Sequence, residues 1–132
     1  MKNSKVLKTI LVVAGLVGVM VGLGNIISPV EFNASSGIEL GVNINLINEF
    51  KATGGGLFLS SIFILLGVFM ERLTFSSTLL ATMMYLGYGF SRIASIVIDG
   101  VPSDELVQVA VFEIVMGMIA LFALVKYRKD VE

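Results

Sequence analysis

Among the side chains able to do chemistry, Arg92 makes the strongest demand. It stands in an apolar run with no other charge between Arg72 and Asp99. Placed in hydrocarbon, an arginine costs roughly 2.5–3.5 kcal/mol, so it calls for a partner. Glu113 is positioned to be one. Arg92 lies seven residues before Asp99, and Glu113 lies seven after Leu106. On antiparallel helices joined by a short turn, both would sit about 10 Å below the same interface. Tyr85, Tyr88, Ser95 and Asp99 share the face of Arg92 at helical spacing, while Asn25, Asn48, Glu49, Lys51 and Thr53 bring polar groups to the outer half from the outer ends of the other two helices.

Three functions suit such a cluster. It can be a structural ion pair that fixes helix register. It can be a pocket for a small amphipathic molecule, with Arg92 holding an acidic or carbonyl group, Tyr85 and Tyr88 as wall, and Glu49 and Lys51 as rim. It can also carry protons or ions through Glu113. All three require elements that hold these residues inside a membrane.

Composition supports that setting. Of the 132 residues, 56% are hydrophobic and only 14% charged, against about 45–50% and about 25% in soluble domains. The net charge of −1 gives no reason to expect a nucleic-acid partner. There is no Cys, His or Trp, which removes thiolate nucleophiles, disulfides, the usual zinc and haem ligands and the commonest general base. An enzyme is therefore not expected, and neither is a cofactor or metal.

Four apolar blocks, at about residues 6–27, 52–70, 78–98 and 106–125, each approach the ~20 residues needed to cross a bilayer as a helix. Four strands could not close a barrel, so the expected fold is all-α: a single domain in which four transmembrane helices form a bundle. The first block reads as a retained span rather than a cleaved signal peptide, because it exceeds the ~7–15 residues of a signal core. Lys2, Lys5, Lys8, Arg72, Lys126, Arg128 and Lys129 fall at the termini and the second connection, whereas the first and third connections are acidic. The positive-inside rule then places both termini in the cytoplasm.

Of the two outer connections, the long one, 28–51, contains a loosely alternating stretch (38–47) that suggests a surface helix or an extended lid. Its Asn33-Ala34-Ser35 tripeptide matches a glycosylation acceptor but is too common by chance to carry weight. The other, "DGVPSDEL", reads as a turn at Gly100 followed by a helix start with Asp104 and Glu105 in its first turn. Small and polar residues mark one face of each helix: Gly15, Gly18, Gly22 and Asn25; Glu49, Thr53, Gly56 and Ser60; the Tyr85–Asp99 set; and Glu113, Gly117 and Ala120. In a membrane such faces pack inward. For the glycines, close helix packing is the simplest reading.

Two stretches carry a family resemblance. "NEFKATGGGLFL" (48–59) resembles the Asn–Glu–x–Arg/Lys–Ala–x–Gly–Gly signature of small bacterial four-helix membrane proteins catalogued as domain of unknown function 4345. "GFSRIASIVIDGVPS" (89–103) resembles that family's Gly–x–x–Arg–x–x–Ser–x–x–x–Asp–Gly–x–Pro signature, and Glu113 matches the glutamate of its last helix. The resemblance covers nearly the whole chain. It marks Asn48, Glu49, Lys51, Gly54, Gly55, Arg92, Asp99, Gly100, Pro102 and Glu113. Lys51 departs from the more usual arginine and cannot make the same planar fork to a carboxylate. The architecture also resembles the broader DoxX-like group, some of whose members accompany quinone-linked oxidoreductases and whose distant eukaryotic relatives bind sterol-like ligands. Such likeness of fold supports function only weakly.

The leading expectation is a non-enzymatic protein of the bacterial inner membrane. It would hold a lipid- or quinone-like molecule in a polar pocket in the outer half of the bundle, among membrane lipids. The alternatives are an accessory subunit or interaction partner in a membrane complex, and a small oligomeric proton-coupled transporter.

Overall fold

The computed structural model describes residues 4–128, so Lys2 and Lys129, both used for orientation, lie outside the described residues. The chain is all-α. Its elements are α1 (Lys5–Ile27), α2 (Pro29–Ala34), α3 (Ile44–Phe69), α4 (Glu71–Asp99) and α5 (Asp104–Tyr127). Among the described residues, α1, α3 and α5 are long and apolar enough to cross a membrane. The 29-residue α4 is more polar, carrying Glu71, Arg72, Arg92 and Asp99 together with a run of hydroxyl residues.

The helices run further than the apolar blocks. α3 begins at Ile44 rather than near residue 52, because the Asn43 side chain accepts from the backbone N–H groups of Asn45 and Leu46 and caps the helix in the polar stretch. α4 begins at Glu71 rather than near residue 78. "ERLTFSS" is helical here, and Met70 alone separates α3 from α4. Thr74 Oγ1 donates to Gly67 O at 2.8 Å and Ser77 Oγ to Phe63 O at 2.9 Å, so hydroxyls in the expected second connection clamp α4 to α3. Thr78 and Thr82 donate to the carbonyls four residues earlier, which satisfies them within their own helix. The half of the molecule near the termini is thus richer in buried polar groups than the stripes implied.

α1 packs antiparallel on α3 at close quarters. A Cβ on Gly18 would meet Ser61, and one on Gly22 would come within 2.9 Å of Gly54 O and Phe58 N, so these glycines let the two backbones approach. The buried residues of α3 are Gly54, Ser61, Ile64 and Gly67; of the expected Glu49, Thr53, Gly56 and Ser60 none is buried, although Thr53 faces the cavity described below. Gly56 has open space where a Cβ would stand. α5 packs antiparallel on α4, with Gly117 against Leu86 and Gly89 against Ile114. The turn between them uses Gly100 at φ 111°, a backbone conformation open to glycine.

One core joins the two pairs near the termini. It contains Leu7, Ile10, Leu11 and Ala14 of α1, Ile64 of α3, Ala81 and Tyr85 of α4, and Met116, Ala120 and Ala123 of α5. Lys5, Lys8, Arg72, Lys126 and Arg128 cluster at that end, whereas Glu31, Glu39, Glu49, Asp99, Asp104 and Glu105 lie at the other. The second end, here called distal, carries α2 and the loops.

Candidate functional site

Towards the distal end the two helix pairs diverge and leave a cavity of about 630 Å³. Val17, Val21, Leu57, Met84, Val109 and Phe112 give it apolar walls. Phe32, Asn33, Ser36 and Ile38, from α2 and the segment after it, roof the space. Two contacts tie that roof to α1 and α5, and a third braces it internally. Asn33 Nδ2 donates to Asn25 Oδ1 at 2.8 Å and to Pro29 O at 2.7 Å. Ser103 Oγ, at the start of α5, donates to Ser36 O at 2.8 Å.

Arg92 and Glu113 meet in the wall. Arg92 Nε donates to Glu113 Oε1 at 2.8 Å, so α4 and α5 present the expected pair at equal depth. The partners differ in burial: the arginine side chain is 37% exposed and the glutamate side chain 9%. Glu113 Oε2 is enclosed with no hydrogen-bond partner among the described residues. Tyr85 also serves as wall. Its ring stands edge-on to Phe112, with centroids 6.1 Å apart, and its hydroxyl donates to Ala14 O.

Of the residues singled out from the sequence, the structure gathers Arg92, Glu113, Tyr85, Tyr88, Asn25 and Thr53 around this cavity. It does not bring Asn48, Glu49, Lys51 or Asp99 there. On α3, Phe50, Thr53 and Leu57 face the cavity. Asn48 and Lys51 are turned about 100° or more from Phe50 at 3.6 residues per turn, whereas Glu49 shares the face of Thr53 but lies one turn nearer the start of the helix; all three are exposed. Asp99 is exposed at the end of α4 and accepts from Ser95 Oγ at 3.0 Å.

Sequence reasoning missed Asn33, Phe32, Glu105 and Gln108, which also line the cavity. Only Pro29 signalled the roof, since proline at the first position of a helix is as good a start as a stop. Here it opens α2 immediately after α1 ends. Among the described residues no group of acidic side chains could hold a metal ion.

Fold and site together define an all-α protein with membrane-spanning capacity and an ion pair in the wall of a largely apolar cleft. The chain belongs to the family described as domain of unknown function DUF4345, whose sequence profile matches residues 6–124. No curated protein and no solved structure matches it.

Proposed function

We propose that this is a non-enzymatic integral membrane protein that holds a lipid- or quinone-like molecule in the distal cleft. In this reading the four long helices form a DoxX-like transmembrane bundle in a bacterial inner membrane, with both termini cytoplasmic and the cleft in the outer half. Membrane lipid surrounds the bundle and is one source of the ligand. The charge distribution supports the orientation, because Lys5, Lys8, Arg72, Lys126 and Arg128, with Glu71, gather at the terminal end, and Glu31, Glu39, Glu49, Asp99, Asp104 and Glu105, with Lys51, at the distal end.

The observation that carries the reading is the cavity itself. Its volume of about 630 Å³ falls within the roughly 300–1,000 Å³ typical of small-molecule sites. It is walled by Val, Leu, Met and aromatic side chains and has a charge pair at one place, the combination that fixes the head of an amphipathic ligand while burying its body. The Asn33 and Ser103 contacts make 29–38 a roof that such a ligand would pass or displace.

Native mass spectrometry of the full chain after gentle extraction tests this. A lipophilic molecule should co-purify with the unmodified protein and be held more weakly by Val109→Trp, which narrows the cleft. A protein that emerges empty from several mild extractions would refute it.

A further inference from the structure

A buried acceptor of the cleft wall lacks a donor. Asn33 is buried, and its amide nitrogen is already engaged with Asn25 and Pro29. Its Oδ1, which is not fully enclosed, is the atom left to accept. Glu113, 7% exposed, has one oxygen on Arg92 and the other without a donor. A buried acceptor left unsatisfied is unfavourable, and a ligand that supplies a donor relieves it.

Charge narrows the ligand further. Among the lining residues Arg92 is the one cation, and Glu105 and Glu113 are carboxylates, which leaves the lining at −1. A carboxylate or phosphate head would bring another negative charge to a poorly screened site where one carboxylate already occupies the arginine. An ammonium head would meet the guanidinium as a like charge and has no lone pair to accept from it. The guanidinium Nη groups have no partner among the described residues, so they remain able to donate to a neutral oxygen. A hydroxyl meets both needs, since it donates to the wall acceptors and accepts from Arg92.

We infer that the cleft selects an uncharged amphiphile bearing a hydroxyl head, an alcohol or a phenol. It should take a hydroquinone in preference to the corresponding quinone, and reject free acids. This rests on the reading of the cleft as a binding site.

The test uses the full chain in phosphatidylcholine nanodiscs and probes with a common dodecyl tail. These are 1-dodecanol, dodecylhydroquinone, dodecylbenzoquinone, methyl dodecanoate, dodecanoic acid and dodecylamine, with retention read by native mass spectrometry. The alcohol or the hydroquinone should bind at least about tenfold more tightly than the benzoquinone, ester, acid and amine, the ratio expected for one satisfied buried acceptor. Whichever of those two binds better tells an aliphatic lipid from an aromatic carrier. Glu113→Gln, which removes the competing carboxylate, should shift the preference towards dodecanoic acid. If the ester, benzoquinone, acid or amine equals the hydroxyl probes on the unmodified protein, the inference fails while the cleft remains a binding site. If no probe binds, or if Val109→Trp leaves binding unchanged, the cleft reading fails and the inference with it.

Discussion

Breaking the Arg92–Glu113 pair from either side should have unequal effects, and the inequality follows from burial. Arg92→Leu leaves Glu113, whose side chain is 9% exposed, with neither oxygen paired. Removing one partner of a buried pair in this way costs about 3–5 kcal/mol. Glu113→Leu leaves an arginine whose side chain is 37% exposed and whose long stem can carry the head to water or lipid headgroups. That substitution should cost less, about 1–2 kcal/mol. The double substitution removes both charges and substitutes apolar contact between α4 and α5, so it should be close to neutral or somewhat stabilising. The coupling energy of the cycle should then be about 4–7 kcal/mol, the two single losses together. Unfolding in mixed micelles, titrated with a denaturing detergent and followed by the loss of helical circular dichroism, measures all four proteins. A larger loss for Glu113→Leu than for Arg92→Leu would refute the burial reasoning. A coupling below about 0.5 kcal/mol would show that the charges do not depend on each other.

Other substitutions probe the elements that shape the cleft. Gly22→Ala forces a methyl within 2.9 Å of α3 backbone atoms and should destabilise by about 1–3 kcal/mol. Gly56→Ala meets open space and should be neutral or slightly stabilising in the same detergent titration. Tyr85→Phe loses the bond to Ala14 O; because that carbonyl belongs to a helix, the loss should be at the low end of about 0.5–1.5 kcal/mol. Ser103→Ala removes the contact to Ser36 O and should speed amide hydrogen exchange across 29–38 without changing it in α1 or α5.

The parts of the fold that could be read from the sequence are those set by hydropathy and by electrostatic need. An arginine in an apolar run demands a counter-charge, and depth arithmetic on α4 and α5 singled out Glu113. The stripe Gly15, Gly18, Gly22 and Asn25 is buried on α1 as small residues in a membrane should be. α3 misled because its polar residues and its buried residues are different sets. Glu49 and Thr53 share a helical spacing with Gly56, but Gly54 rather than Gly56 meets Gly22, and the choice depends on which face α1 offers. Hydropathy could not place the start of α4 either. Ser and Thr look like loop residues until a neighbouring carbonyl accepts their protons, and the acceptors of Thr74 and Ser77 lie on α3.

The position of the cleft follows from where the helices are tied. Glycine contacts draw α1 to α3 and α5 to α4, and Met70 pins α3 to α4 at the terminal end. Towards the distal end the ties across the divide are light: the Ser103–Ser36 bond links the roof to α5, and the Asn25–Asn33 bond holds the roof to α1. The pairs are therefore free to part where Arg92 and Glu113 stand. Register alone explains that ion pair poorly, because two apolar side chains of similar volume would hold α4 to α5 without desolvating any charge. A pair that also presents unused guanidinium nitrogens to a cleft has a use that an apolar contact would not. Whether ligand affinity or helix stability suffers more in the double leucine protein separates those two roles: a stable bundle that no longer retains its ligand is the outcome a binding site requires.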